Sequence, residues 1–315
     1  MMNKPVLLFP GQGSQLPGMG RDLAEAETSA MDIWKLAERI SHKPLREIFW
    51  EGDEAAMSDT AVLQPALTVV NLALYNCLRG KVDFAASAGH SLGEFSALAA
   101  AGVLSLEDTL KLTSLRGELM AQADPDHTGG MMAVVKLDCE EVERLVAEAA
   151  QECGELLLCA NFNAPKQTVV SGQNTALALL QSKVKAVKGR ALPLKVSAAF
   201  HSPMMEEANR EFQPLLRKVS WHDARFPVYS NVLACAEQQS QRLQEAMLVQ
   251  MVSPVRWLES VRAQYQDGLR AWLEVGPKSL LIRLVTSCLE DVTDEDLQCE
   301  AVTDLATANA CPFLE

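Results

Sequence analysis

Gly89-His90-Ser91-Leu92-Gly93 is a G-x-S-x-G pattern set between a short strand-like run, Phe84 to Ala88, and a Leu- and Ala-rich stretch, Leu92 to Ala101, closed by Gly102. A serine on a tight strand-to-helix turn projects its hydroxyl away from the backbone, and flanking glycines allow the turn and leave room for a substrate. The amide of Leu92 then lies at a helix N-terminus, where N–H groups are unpaired and the dipole favours negative charge. Nucleophile and oxyanion stabiliser would share one turn. The same residues also suit a plain turn whose serine caps a helix.

A serine nucleophile needs a base. Of the five histidines, His90 adjoins Ser91 and points away from its hydroxyl, and His42, His127 and His222 lie in polar stretches expected at the surface. His201 sits among small and apolar residues, Ala198-Ala199-Phe200-His201-Ser202-Pro203, and is the candidate base. Nucleophile and base need only be neighbours in space. Acylation is then expected to fall as pH drops through the ordinary histidine range, ~6.5, because the base must be neutral. Arg116 lies within the apolar face of a helix carrying Leu112, Leu115, Leu119 and Met120. A buried guanidinium requires an anionic partner, either a carboxylate of the fold or a carboxylate on a substrate held by a bidentate clamp. Gln12, in the loop Pro10-Gly11-Gln12-Gly13, would face the same crevice if ligands bind beyond the C-terminal ends of parallel strands.

These residues must be carried by a suitable frame. The 315 residues, 48% of them hydrophobic, suffice for one large domain or two unequal ones. Short β-like runs alternate with helix-like ones: Val6 to Phe9, helices near 21–40 and 62–79, Phe84 to Ala88, the helix Ser105 to Gln122, Phe226 to Ser230, a helix over 239–251, and Ala271 to Val275. This favours an α/β fold with a largely parallel sheet. Between them, strands Met131–Lys136, Leu156–Ala160, Gln167–Ser171 and Arg190–Val196, with helices Cys139–Gln151 and Asn174–Lys185, give the order β-α-β-β-α-β of a ferredoxin-like unit. Asn174 is read as the second helix's N-cap. The expected division is a discontinuous large domain, 1–127 and 198–315, and an inserted subdomain, 128–197, with hinges at Gly129-Gly130 and Ser197-Ala198-Ala199. The acidic stretch from about 290 onward reads as a loosely packed tail.

A formal net charge of −13 argues against nucleic-acid binding, and one basic patch stands out against it: Lys183, Lys185, Lys188, Arg190 and Lys195. No apolar run reaches the ~20 residues that span a bilayer. The apolar run at the N-terminus is too short for a signal peptide. The eight cysteines form no C-x-x-C pair, so neither a disulfide frame nor a zinc site is expected. The expectation is a cytoplasmic monomer with no membrane partner.

Seven motifs together resemble the malonyl-CoA:acyl-carrier-protein transacylase family, the acyltransferases of fatty-acid and polyketide synthesis. They are Phe9-Pro10-Gly11-Gln12-Gly13-Ser14-Gln15, Gly89-His90-Ser91-Leu92-Gly93-Glu94-Phe95, Leu115-Arg116-Gly117, Asn161-Phe162-Asn163-Ala164-Pro165, Ala199-Phe200-His201-Ser202-Pro203, Gln250 with Ser253-Pro254-Val255-Arg256-Trp257, and Glu274-Val275-Gly276-Pro277. The resemblance spans about residues 5–285 and implies an α/β-hydrolase-like large domain with an inserted ferredoxin-like one. It implies Ser91 as the acylated nucleophile, His201 as base, and Gln250 orienting the histidine through its carbonyl in place of an acidic third residue. By the same resemblance the amides of Gln12 and Leu92 form the oxyanion hole, Arg116 binds the malonyl carboxylate, Asn161 contacts substrate, and Phe200 goes with malonyl rather than methylmalonyl preference. The implied partner is acyl carrier protein, an acidic protein for which the basic patch is a docking surface. Malonyl-CoA and CoA are the implied substrate and product, with no permanent cofactor or metal. Other readings of the residues are an acyltransferase of a polyketide or malonate-decarboxylase system, and a serine thioesterase or lipase.

Overall fold

The computed structural model describes residues 4–52 and 54–314. Among them the strands are β1 (Val6–Phe9), β2 (Ala86–Gly89), β3 (Gly129–Val135), β4 (Leu157–Ala164), β5 (Gln167–Gln173), β6 (Arg190–Pro193), β7 (Val228–Tyr229), β8 (Ala236–Glu237), β9 (Ala271–Val275) and β10 (Gln298–Val302). A six-stranded sheet has the order β10-β9-β1-β2-β7-β8. Its first five strands are parallel, and only β8 pairs antiparallel at the edge. β1, β2 and β9 are buried along their whole length, as continuous apolar strands covered on both faces must be.

The second sheet has four antiparallel strands in the order β4-β5-β3-β6. The helices Cys139–Cys153 and Asn174–Ala186 pack through Val142, Leu145, Val146, Leu177 and Leu180 into one cluster with Met132, Val134 and Val170 of the strands. This is the ferredoxin-like arrangement expected. A short stretch links it to the large sheet: Val255 donates its amide to Ala160 and accepts from that of Phe162.

Several boundaries differ from expectation, each for a local reason. Gly129 and Gly130 lie inside β3, paired with Gln173 and Gly172, rather than in a hinge. A Cβ on Gly129 would come within 2.8 Å of the Met204 side-chain end and 3.0 Å of the Ala199 Cβ, so this end of the strand is closely packed and a larger residue would have to displace Met204. Asn174 does not cap its helix; it is the first helical residue, and its Nδ2 donates to the His127 carbonyl. The stretch 21–40 is two helices, Arg21–Ala26 and Thr28–Ser41, broken where Glu27 is extended. The helix expected over 239–251 ends at Met247, and a 3₁₀ turn, Gln250–Val252, follows.

The C-terminal stretch is not a loose tail. β10 runs parallel to β9 at the sheet edge, and helix Leu305–Asn309 opens with a capping box between Asp304 and Thr307. Val302, Ala308, Cys311 and Phe313 are buried in the main core. The helix Thr60–Leu78, at 19 residues, is long and apolar enough by length and composition alone to cross a bilayer. It is a core helix instead: 89% of its apolar window is buried inside the protein.

Candidate active site

Ser91 follows the C-terminal end of β2 and precedes helix Gly93–Ala101. Its φ is 51°, a left-handed conformation that costs a non-glycine residue on the order of 1–3 kcal/mol and persists only when its surroundings impose it. The two flanking glycines make the turn possible by close approach rather than by opening space for a ligand. A Cβ on Gly89 would lie 2.0 Å from the Gly93 carbonyl carbon, and one on Gly93 would lie 2.0 Å from the Phe9 carbonyl oxygen. The elbow is thus wedged against the end of β1, which puts the Pro10-Gly11-Gln12 loop beside it.

His201 Nε2 lies 2.7 Å from Ser91 Oγ. Its Nδ1 is within hydrogen-bond distance of two backbone carbonyls, Gln250 at 3.1 Å and Ser253 at 3.0 Å. With Nδ1–H donating to these carbonyls, Nε2 is left as the acceptor facing the hydroxyl. Among the described residues no carboxylate completes the pair; the carbonyls at the two ends of the 3₁₀ turn Gln250–Val252, those of Gln250 and Ser253, take that place.

Arg116 is 1% exposed, on the helix Leu106–Gln122 whose start is capped by Ser105 Oγ. It makes no ion pair among the described residues. Nη1 donates to Gln64 Oε1 at 2.9 Å, Nη2 donates to Gln250 Oε1 at 3.1 Å and to Ser91 Oγ at 3.2 Å, and Nε has no protein acceptor. The guanidinium also lies over the Phe95 ring, 5.6 Å from its centroid. Burial lowers its pKa to about 10, which leaves it charged at neutral pH. Its direct acceptors are neutral amides and a hydroxyl, and the buried Glu94 reaches it only across the Gln250 amide, so the guanidinium can still take an anion.

Glu94 was not singled out from sequence. It is 1% exposed, and burial raises its pKa to about 7. It accepts from Gln250 Nε2 at 2.9 Å and from the Asn231 amide at 3.0 Å. Asn231, Gln64 and Ser253 were missed for the same reason: their roles arise from contacts across the fold. The one signal for Glu94 in the sequence is a carboxylate inside an otherwise small and apolar helix.

A cavity of about 480 Å³ opens onto these groups between the two sheets. Gln12, Ser91, Leu92, Arg116, Phe200 and His201 line one side, and Met131, Asn161, Asn163 and Val169 of the second sheet line the other. Among the described residues, neither the Gln12 nor the Leu92 amide has a protein acceptor, so both donors are available to an oxyanion. The Ser91 amide is taken by Asn231. His90 is occupied elsewhere, its Nε2 at 2.8 Å from Asn163 Oδ1 and its ring 5.6 Å from that of Trp257. His42, His127 and His222 are exposed. Lys185, Lys188, Arg190 and Lys195 are exposed as well, while Lys183 pairs with Glu152 at 2.6 Å. Leu194 and Val196, next to Lys195, reach the cavity wall.

The environment of His201 changes the expected pH behaviour. Burial first, and then the Arg116 and His90 charges, push its pKa down to about 3. The base is already neutral over the range where an ordinary histidine titrates, so His201 imposes no acid limb between ~5 and ~8. Single-turnover acylation rates against pH check this; a limb near ~6.5 that survives Glu94→Gln contradicts it. Stability carries the complementary sign. Below ~6.5 the unfolded chain binds a proton that folded His201 refuses, so this residue makes the fold less stable as pH falls toward its folded pKa. His201→Ala is therefore expected to lose less Tm than the wild type between ~7 and ~5.

The acyl transferase domain family matches residues 6–311. The malonyl CoA-acyl carrier protein transacylase of Haemophilus influenzae is 36% identical over 313 residues, 98% of each chain. The solved acyl carrier protein S-malonyltransferase of Vibrio cholerae is 35% identical, with a TM-score of 0.90 over 98% of this chain and 99% of that one. A malonyl-transacylase solved in complex with the acyl-carrier protein of a type II PKS is 33% identical, with a TM-score of 0.90 over 98% of each chain. The serine–histidine pair, the unpaired guanidinium and the match over nearly the whole chain agree, and the chain belongs to the acyl transferase domain family, among its malonyl-CoA:acyl-carrier-protein transacylases.

Proposed function

We propose that Ser91 carries a malonyl group between two pantetheine thiols, the enzyme acting as an [acyl-carrier-protein] S-malonyltransferase of fatty-acid synthesis. The observation that carries this reading is Arg116: a buried, charged guanidinium that makes no ion pair among the described residues, whose Nη2 reaches the nucleophile's oxygen. The malonyl carboxylate lies two bonds from the acyl carbon, so an acyl group reacting at Ser91 would place it against that guanidinium.

In the first half-reaction His201 Nε2 takes the Ser91 proton and Oγ attacks the malonyl-CoA thioester. The oxyanion is met by the Gln12 and Leu92 amides; losing one such donor typically costs ~10²–10³-fold in rate. The tetrahedral adduct collapses, and His201 returns the proton to the departing CoA thiolate. In the second half the pantetheine thiol of acyl carrier protein gives its proton to His201 and attacks the malonyl-serine ester, restoring Ser91. The chemistry is ping-pong through a covalent ester. Phe200 and Asn161, on opposite walls of the cavity, would set the room and the polar contact beside the acyl group.

The chain would work as a discontinuous large domain, 1–127 and 198–315, closed over by the inserted 128–197. We place it as a monomer in the cytoplasm, bound to neither membrane nor nucleic acid and needing no permanent cofactor. The eight free cysteines suit a reducing compartment. The patch Lys183, Lys185, Lys188, Arg190 and Lys195 would receive the acidic carrier protein. Lys188→Glu with Arg190→Glu is then expected to raise KM for the carrier protein several-fold, more at low salt, with malonyl loading unchanged. An unchanged KM assigns docking elsewhere.

A chase experiment tests the reading. Malonyl-enzyme is formed, freed of malonyl-CoA and divided between buffer and holo acyl carrier protein. Transfer to the thiol should outrun hydrolysis by orders of magnitude. Equal decay with and without carrier protein would make the enzyme a thioesterase.

A further inference from the structure

We propose that Asn231, held by Glu94, is a positioning residue that clamps the nucleophile elbow and keeps Ser91 in its left-handed conformation. Asn231 stands just beyond β7, on the neighbour of the strand that ends in the elbow. Its side chain spans the turn: Oδ1 accepts from the Ser91 amide at 2.7 Å, and Nδ2 donates to the Gly89 carbonyl at 2.6 Å. A bent chain cannot continue pairing with β7 through its backbone, and here one carboxamide supplies the missing donor and acceptor on both sides of the bend. Ser91 at φ 51° has no glycine's freedom, so this conformation must be imposed.

The clamp is itself fixed at both ends of its backbone. The Asn231 amide donates to Glu94 Oε1 at 3.0 Å, and its carbonyl accepts from the Arg256 amide at 3.1 Å. Glu94 Oε2 accepts from Gln250 Nε2, which also donates to the Ser91 carbonyl at 2.9 Å. Both peptide groups of Ser91 are therefore tied, through Asn231 and Gln250, to one buried carboxylate on the helix that the elbow opens. Glu94 accepts from the Gln250 NH₂ while Arg116 donates to the Gln250 oxygen, so the two neighbours together fix which way round the amide sits. Occupying the Ser91 amide also removes it from the oxyanion hole and leaves that task to Gln12 and Leu92.

The proposal rests on Ser91 being the nucleophile, and its test has a readout independent of malonate. For Asn231→Ala, the labelling rate of Ser91 by a fluorophosphonate and the malonyl acylation rate per titratable Ser91 should both fall by about 10²-fold, the usual penalty of a misplaced reacting group. KM for malonyl-CoA and the malonyl-to-acetyl ratio should stay near wild type, because Arg116 keeps its acceptors on Gln64 and Gln250. A lower Tm with a per-site rate like the wild type's would make Asn231 structural only and overturn the proposal. If Asn231→Ala does not fold, Asn231→Asp retains the acceptor for the Ser91 amide and loses the donor to Gly89; it should slow labelling by an intermediate factor, and a wild-type rate again overturns the proposal. Wild-type enzyme that takes fluorophosphonate but no malonyl would defeat the malonyl reading and leave the clamp under test.

Discussion

Arg116→Ala is expected to lower kcat/KM for malonyl loading by about 10²–10³-fold while leaving acetyl loading near its wild-type level or raising it. The magnitude follows from removing one partner of a desolvated charge pair, on the order of 3–5 kcal/mol in protein interiors. The selectivity follows from the geometry: the direct acceptors of the guanidinium, Gln64, Gln250 and Ser91, are neutral, so its removal costs most for an acyl group that brings its own carboxylate. Arg116→Lys should recover part of the malonyl rate, since an ammonium supplies the charge but not the planar fork. Acylation rates with malonyl-CoA and acetyl-CoA, measured side by side, decide the point; a parallel loss for both acyl groups would show that Arg116 supports the elbow and does not choose the substrate.

Ser91→Ala and His201→Ala are expected to be the most damaging substitutions, each lowering transfer by up to ~10⁶-fold, with the double variant little worse than either single one. Non-additivity is the informative part. Ser91 Oγ and His201 Nε2 are 2.7 Å apart and act as a unit, so removing either leaves the other without work. Costs that summed across the double variant would mean that the two residues act independently. Because His201 is oriented by the carbonyls of Gln250 and Ser253, no carboxylate substitution elsewhere should mimic the loss of a third triad member.

The elbow, the base and the arginine were legible because each broke a local pattern. Ser91 sat between two glycines at a strand-to-helix change, His201 stood alone among small residues, and Arg116 interrupted an apolar helix face. The ferredoxin-like order was legible for the same kind of reason, since each strand and helix there repeats its own period. What was not legible depends on contacts between distant segments. Asn231 lies 140 residues from the amide it binds, and nothing in Ser230-Asn231-Val232 distinguishes it from a turn. Glu94, by position, is an ordinary acid in the first turn of a helix; only the packing of the helix against its neighbours makes it a buried hub. The C-terminal stretch was misread because the acids between Glu290 and Glu300 hide an edge strand whose residues are mostly only half-buried. Its apolar anchors, Val302, Ala308, Cys311 and Phe313, are too widely spaced to show a period. The pH expectation shifts because no sequence pattern reports that a histidine will be buried beside an arginine, which lowers its pKa.

The most direct test of the central claim is the intact mass of the enzyme after brief exposure to malonyl-, methylmalonyl- or acetyl-CoA, with the modified peptide located by fragmentation. The account predicts a single malonyl adduct on Ser91, formed fastest from malonyl-CoA, absent in Ser91→Ala and discharged by holo acyl carrier protein. Unmodified protein, an adduct on another residue, or equal labelling by acetyl- and malonyl-CoA would contradict it.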